Sequence, residues 1–349
     1  ETAHEVVVDG VTYLVAVTPN GDVTVTRPVT VDKTALNEAI TAAEELNSED
    51  YTPSTWAAVE EALDKAKAVS EDENAAQADI DAALEALNAA IAALIEKADK
   101  TALTELYDDA ALDFGRLTAD VFPDELIAAM EEALAEAEAV LNDADATEGD
   151  VEAAQAALQD AWNALKAYPV NTMYTDIDEG TWFYDAVDFV TRYGFMNGMD
   201  PGTNINRAQF VVILYRMAGS PEVTADNPFV DVPAKSWFTD AVLWAFENGI
   251  TTGADATHFN PGGTLVRQNM VTFLMRFAKT MGIDTANRAD LSGYADADQV
   301  MAHAQDAMAW AVAEGIISGM SADTLGPNGL ANRAQIATII SRFVPKYLW

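Results

Sequence analysis

Three rhythms of apolar and polar positions succeed one another along the chain. Residues 5–8 (Glu-Val-Val-Val), 11–17 (Val-Thr-Tyr-Leu-Val-Ala-Val) and 23–27 (Val-Thr-Val-Thr-Arg) are short runs rich in β-branched side chains, which suit a pleated surface. Asp9-Gly10 and Pro19-Asn20-Gly21-Asp22 separate them, and Asp-Gly is a hairpin signal. The expectation is a small β-meander over residues 1–30. Three short strands bury little apolar surface. They read as a cap, as the last strands of an upstream domain, or as an edge that exchanges a strand between subunits.

From residue 31 the period changes to that of a helix. Ile80, Leu84, Leu87, Ile91 and Leu94 mark one apolar stripe, and alanine fills many intervening sites, which favours helix. Thr52-Pro53 places a cap residue before a proline suited to the first helical turn. The pattern occurs twice. Asp32-Lys33-Thr34-Ala35-Leu36 recurs 67 positions later from Asp99, while the segment from Trp56 to Leu63 recurs 71 positions later from Ile127. Leu87, Ile91 and Leu94 pair in the same way with Leu158, Trp162 and Leu165. The mismatch of four predicts a longer first loop in copy two, around Phe114-Gly115. Each copy reads as three antiparallel helices, over 31–97 and 98–168, the two running end to end.

The third rhythm is a repeat of helix, glycine-punctuated loop and helix, with segments at 174–219, 228–282 and 291–349. Copy one holds Tyr174-Thr-Asp176, Trp182-Phe183, Tyr193-Gly194, Gly198 and Asn206-Arg207-Ala208-Gln209. Copy two holds Phe229-Val-Asp231, Trp237-Phe238, Asn248-Gly249, Gly253 and Val266-Arg267-Gln268-Asn269. Copy three holds Tyr294-Ala-Asp296, His303, Glu314-Gly315, Gly319 and Asn332-Arg333-Ala334-Gln335. Gly194, Gly249 and Gly315 are placed to end the first helix. Asn206 with Gln209, and Asn332 with Gln335, form capping boxes; Val266 cannot. An arginine in a first helical turn opposes the macrodipole, yet all three copies have one. Arg207, Arg267 and Arg333 either join the helix start in holding a carboxylate or phosphate, or pair with Asp176, Asp231 and Asp296.

Charge sharpens the division. Residues 1–169 carry 38 acidic and 8 basic residues, against 19 and 11 in 170–349, within a formal net charge of −38. A polyanion such as nucleic acid is repelled by such a chain. No apolar run reaches the ~20 residues of a membrane span, so no membrane insertion is expected. The absence of cysteine excludes thiolate chemistry and disulfides. His4, His258 and His303 are the only histidines, at no metal-ligand spacing. No nucleophile elbow, P-loop or dinucleotide fingerprint occurs. Neither enzyme activity nor a cofactor is expected. A chain starting at Glu1 reads as a piece or processed product of something longer.

Residues 31–167 resemble the FIVAR modules of large Gram-positive surface proteins, usually regarded as spacers. Residues 174–344 resemble a triplet of S-layer homology (SLH) domains, through the aromatic-Asp openings, the Trp-aromatic pairs, Gly-x-x-x-Gly and the arginine at the second helix start. The resemblance implies a mainly α protein ending in a three-pronged pseudo-trimer around a central helical bundle. It also implies an extracellular location in the cell wall or S-layer, and grooves that bind a secondary cell-wall polymer, often through a pyruvylated sugar. On that resemblance Arg207, Arg267 and Arg333 are the carboxylate contacts, and Gly198, Gly253 and Gly319 let backbone amides approach the sugar. Trp182 and Trp237 read as core residues, since Trp is large and mostly buried, with a sugar platform as the alternative.

The departures from the family predict unequal grooves. Glutamine or asparagine stands for its glutamate, and His303 stands where the other copies have Trp182 and Trp237. Gly198 precedes its arginine by 9 positions, whereas Gly253 and Gly319 precede theirs by 14. The groove of Arg267 is expected to be the working one. The expected function is a non-enzymatic wall anchor with an acidic spacer. The alternatives are a lattice or filament subunit that self-associates through the N-terminal strands, and the tail of a carbohydrate-active enzyme whose catalytic domain lies upstream.

Overall fold

The computed structural model describes residues 2–8, 11–26, 31–198 and 200–349. The chain is mainly α-helical, with one small antiparallel sheet among those residues. By its contacts it divides into two compact units, Glu1–Asp109 with Glu131–Asp160, and Ala110–Met130 with Ala161–Trp349.

Strands β1 (Thr2–Val8), β2 (Val11–Val17) and β3 (Val23–Thr26) form a meander in the order β1-β2-β3. Val6 faces Tyr13 and Val17 faces Val23. The Asp9-Gly10 turn and Arg27 lie outside the described residues. In the second turn Gly21 adopts φ +89°, and its amide donates to the Thr18 carbonyl at 2.9 Å.

The first bundle comprises α1 (Thr34–Glu44), α2 (Pro53–Glu71) and α3 (Gln77–Ala92). Leu36, Ala43, Ala66, Ile80 and Leu87 fill its narrow core. The recurrent Asp-Lys-Thr motif now has a physical role. The Asp32 carboxylate accepts the Thr34 amide at 2.9 Å, and Lys33 Nζ reaches the Ser70 and Asp72 carbonyls at 2.8 and 2.6 Å, at the C-terminal end of α2. A cation is favoured there by the helix dipole. In copy two Asp99 accepts the Thr101 amide, and Lys100 Nζ reaches the Val140 carbonyl at 2.8 Å. Thr52 does not cap α2 with its hydroxyl; it is buried, and its Oγ1 lies 2.7 Å from that of Thr55.

Copy two comprises α4 (Thr101–Phe114), α5 (Asp124–Asn142) and α6 (Glu148–Ala167). The extra residues do not chiefly lengthen a loop, as the sequence implied. They extend α4, which has 14 residues against 11 in α1.

The second unit carries the three repeats. Their first helices are α7 (Tyr184–Arg192), α9 (Thr239–Glu247) and α11 (Gln305–Ala313). Their second helices are α8 (Arg207–Met217), α10 (Arg267–Thr280) and α12 (Arg333–Tyr347). Gly194, Gly249 and Gly315 each take φ +68° just beyond a first helix, the left-handed conformation glycine reaches without a Cβ penalty. The second helices share one core in which Phe210, Leu214, Leu274, Phe277, Ile340 and Phe343 are fully buried.

The repeats are interlocked cyclically. Helix α8 packs on α9, α10 on α11, and α12 returns to α7. At the centre the Ile205 amide donates to Ala331 at 2.9 Å, Ala331 to Leu265 at 3.4 Å, and Leu265 to Ile205 at 3.4 Å. Three residues from three repeats thus close a ring of backbone hydrogen bonds, which gives the unit its pseudo-threefold order.

Candidate functional site

Each of the three sequence-singled arginines reaches into the loop of another repeat. Arg207 Nε donates to the Phe259 carbonyl at 2.9 Å, and its guanidinium lies over the Phe259 and Phe273 rings. Arg267 Nε and Nη2 donate to Leu325 and Ser318 carbonyls at 3.2 and 2.9 Å. Arg333 Nη2 donates to the Asn197 carbonyl at 2.9 Å and also to that of Gly198. The helix-start amides are engaged too. Arg207 and Ala208 donate to Gly263 and Pro261, Arg267 and Gln268 to Gly329 and Pro327, and Arg333 and Ala334 to Thr203 and Pro201.

The surroundings of the arginines differ from the sequence expectation in two respects. The helix starts are not open anion sites, because loop carbonyls satisfy the free amides. Nor do the arginines form ion pairs with the aspartates among the described residues. Asp231 accepts the Phe259 and Asn260 amides at 2.8 and 2.7 Å, and Asp296 accepts Leu325 and Gly326 at 2.8 Å each. Asp176 accepts the Asp200 amide. Aspartate and arginine therefore hold one loop from opposite sides, the first through its amides and the second through its carbonyls. Burial disfavours the charged form of Arg207 and Arg267, and the nearby carboxylates of Asp231 and Asp296 counter it.

The three loop glycines differ in what surrounds them. A Cβ on Gly253 would run into the Asp255 carbonyl and lie 2.7 Å from Phe229 Cε1, and one on Gly319 would run into the Ser321 carbonyl. These two glycines are required by their own loops. Gly198, at φ +64°, faces open space and is exposed. The capping boxes form at Asn206 with Gln209 and at Asn332 with Gln335, and Val266 makes no side-chain cap.

Three grooves lie between the repeats, and each draws on all three. One repeat supplies the loop and the second-helix face, another the helix-start arginine, and the third the position of Trp182, Trp237 or His303. The first groove, about 160 Å³, is lined by Asn197, Gln209, Arg216, Trp237 and Arg333. The second, about 520 Å³, is lined by Arg207, Thr252, Asn269, Thr272, Arg276 and His303. The third, about 430 Å³, is lined by Trp182, Arg267, Ser318, Gln335, Thr338 and Arg342.

Trp182 and Trp237 are 65% and 63% exposed, so the burial their size favoured does not occur. Each meets its neighbouring Phe edge-on at 5.2 Å and leaves a broad apolar surface at a groove. The residues that sequence reasoning missed are Arg216, Arg276 and Arg342, which put a second guanidinium in each groove. The signal was present: each follows its helix-start arginine by nine positions. Arg216 Nη1 lies 3.3 Å from the Phe195 carbonyl, and Arg276 Nη1 lies 3.2 Å from that of Ile250. Arg342 is exposed and has no hydrogen-bond or ion-pair partner among the described residues.

The smallness of the first groove has a local cause. From its glycine to the helix-start arginine its loop spans 9 positions against 14 in the others, and both Arg216 and Arg333 hold to its carbonyls. In the second groove His303 Nε2 lies 3.0 Å from Asn269 Oδ1, and Thr252, Thr264, Thr272 and Asn260 add hydroxyl and amide groups to the lining. Only the third combines a long loop, an exposed tryptophan and an uncommitted arginine.

Comparison with known proteins agrees with this division. The FIVAR domain family matches residues 32–94 and 122–166, and the S-layer homology domain family matches 174–211, 228–268 and 293–337. A surface-layer 125 kDa protein of Lysinibacillus sphaericus is 34% identical over 162 residues, covering 45% of this chain and 13% of the relative. An exoglucanase XynX of Acetivibrio thermocellus is 24% identical over 178 residues, 50% of this chain and 16% of the relative. A cell surface protein of Thermoanaerobacter kivui is 24% identical over 185 residues, 50% of this chain and 22% of the relative. The chain thus spans a minor part of the length of these relatives.

Proposed function

Because this chain belongs to the cell-surface proteins built from FIVAR and S-layer homology domains, whose SLH repeats anchor them at the cell surface, we propose that it grips an anionic polysaccharide of the wall in the groove of Trp182 and Arg342. The observation that carries this reading is the pairing of an exposed indole with an unpartnered guanidinium at one groove. The indole offers a flat apolar face to a sugar ring, and the guanidinium offers a planar donor fork to a carboxylate. A ring bearing a carboxylate, such as a pyruvylated sugar, meets both demands. Gln335 and Thr338 line the same groove and add neutral hydrogen-bonding groups.

The role is one of binding, without catalysis. The acidic helical modules act as a spacer, and the cationic grooves supply the local attraction that a net charge of −38 otherwise denies to an anionic polymer. At physiological salt the general repulsion is screened beyond ~8 Å, so contacts within a groove decide binding. Titration calorimetry of the full chain with wall-sugar fragments, with and without the pyruvyl group, tests this. Binding that needs the carboxylate and falls at least 10-fold in Arg342→Ala supports the reading; equal binding of both fragments sinks it.

A second reading, self-assembly, has its own observation. Val7, Val23 and Val25 are 66%, 60% and 58% exposed, and among the described residues β1 and β3 each pair on one side only. Such edges accept further strands. Electron microscopy of the purified chain separates the two, with ordered arrays favouring assembly and dispersed particles a simple tether.

A further inference from the structure

Two irregularities in the repeats meet at one place. The residues that make copy two of the helical module longer than copy one, 112–115, include Asp113. The first helix of repeat 1 ends in Arg192-Tyr193-Gly194, where repeats 2 and 3 end in Glu247-Asn248-Gly249 and Ala313-Glu314-Gly315. Asp113 Oδ1 accepts the Tyr193 hydroxyl at 2.7 Å, and its Oδ2 accepts Trp162 Nε1 at 3.0 Å. Trp162 itself stands where copy one has Ile91.

Arg192 completes the junction. It is 8% exposed, its guanidinium lies 5.3 Å from the Phe122 ring centroid, and it donates to the Leu165 and Tyr168 carbonyls, both at 2.7 Å. Those carbonyls end α6, where the helix dipole favours a cation. Its Nε pairs with Asp188 at 2.9 Å. Its own carbonyl accepts the Thr118 amide at 2.8 Å. A Cβ on Gly194 would collide with the Thr118 hydroxyl, whereas Gly249 and Gly315 face open space. The last residue joins in: Trp349 stacks under Arg116 at 4.8 Å and meets Tyr193 edge-on at 4.5 Å.

We infer that repeat 1 carries a dedicated docking surface for the end of the second helical module, built from Arg192, Tyr193 and Gly194 against Asp113, Thr118 and the last turn of α6. Through it the two open and close as one cooperative element. The spacer is fastened to the anchor by side chains, so a pull on the chain does not pass through the peptide of residues 168–174 alone. The inference is independent of what the grooves bind.

Hydrogen exchange of the full chain read by mass spectrometry tests it. In Arg192→Met, amides in 110–122, 162–168 and 184–196 should exchange faster together, by roughly 10- to 100-fold, the equivalent of one or two lost charged hydrogen bonds. Residues 239–347 should keep their protection. Arg192→Lys should give an intermediate result, because one ammonium cannot reproduce the planar fork. If Arg192→Met unfolds the whole unit, Asp113→Ala gives the milder reading. It too should loosen both sides in step. A change confined to one side of the junction, or none in either variant, overturns the inference.

Discussion

Replacing Arg267 and Arg342 one at a time separates the two kinds of groove arginine. Arg267 is 4% exposed and donates to the Ser318 and Leu325 carbonyls, the loop that Asp296 holds from its other side. Its Cδ also lies 3.6 Å from where a Cβ on Gly329 would stand, so the stem is packed as well. A hydrogen bond from a charged donor contributes about 1.5–3 kcal/mol. Arg267→Ala removes two and leaves a void and two loop carbonyls without their donor. Because such terms do not add fully, the expected loss is about 3–5 kcal/mol. Arg342 makes no hydrogen bond among the described residues and is exposed, so Arg342→Ala should alter stability by no more than ~0.5 kcal/mol. Urea denaturation of the full chain, followed by hydrogen exchange in residues 239–347, measures both. The account requires Arg267→Ala to lower the midpoint sharply and Arg342→Ala to leave it in place while abolishing polymer binding. Should Arg267→Ala prove as stable as the parent, the loop-holding role assigned to the helix-start arginines is wrong.

Other substitutions probe single features. His303→Trp should give the Arg207 groove the aromatic wall its two counterparts have, and raise the number of wall-sugar fragments bound per chain in calorimetry. No increase would mean that the missing indole is not what limits that groove. Gly253→Ala should destabilise by about 1–3 kcal/mol, because φ is +88° and the new methyl meets backbone and Phe229; an unchanged urea midpoint would refute the packing argument. Glu314 accepts from Lys346 and lies against Tyr347 and Asn287, which hold its carboxyl down to about 2 from an ordinary 4.5 despite partial burial. A carboxylate depressed on folding contributes stability that is present above its unfolded value and lost as pH falls. The parent should therefore lose stability between about pH 4.5 and pH 2, and Glu314→Gln should lose less over that range.

Much of the architecture was legible because periodicity reports burial directly. The spacing of Leu36, Ile80 and Leu87 marked a bundle core, and the glycines after α7, α9 and α11 marked helix ends. The site was harder to read. The role of Arg207, Arg267 and Arg333 depends on which loop each meets, and those loops belong to other repeats through a cyclic packing that no local pattern encodes. A helix start with an arginine looks like an anion site until the neighbouring carbonyls are known. The size of Trp182 and Trp237 favours burial, yet both stand exposed at the grooves. Arg216, Arg276 and Arg342 were within reach of the sequence, since their nine-residue spacing recurs in every copy. The four-residue offset between the helical copies is visible in the sequence, whereas the contact of Asp113 with Tyr193, 80 residues away, is not.

The central claim is that the chain holds an anionic wall polymer through the Trp182–Arg342 groove. Cosedimentation of the full chain with purified sacculi, intact or stripped of their anionic polymer, tests it most directly when run beside Trp182→Ala and Arg342→Ala. The account predicts that the parent pellets with intact sacculi only, and that each variant stays in the supernatant while remaining folded. Binding to stripped sacculi, or undiminished pelleting of both variants, would contradict it.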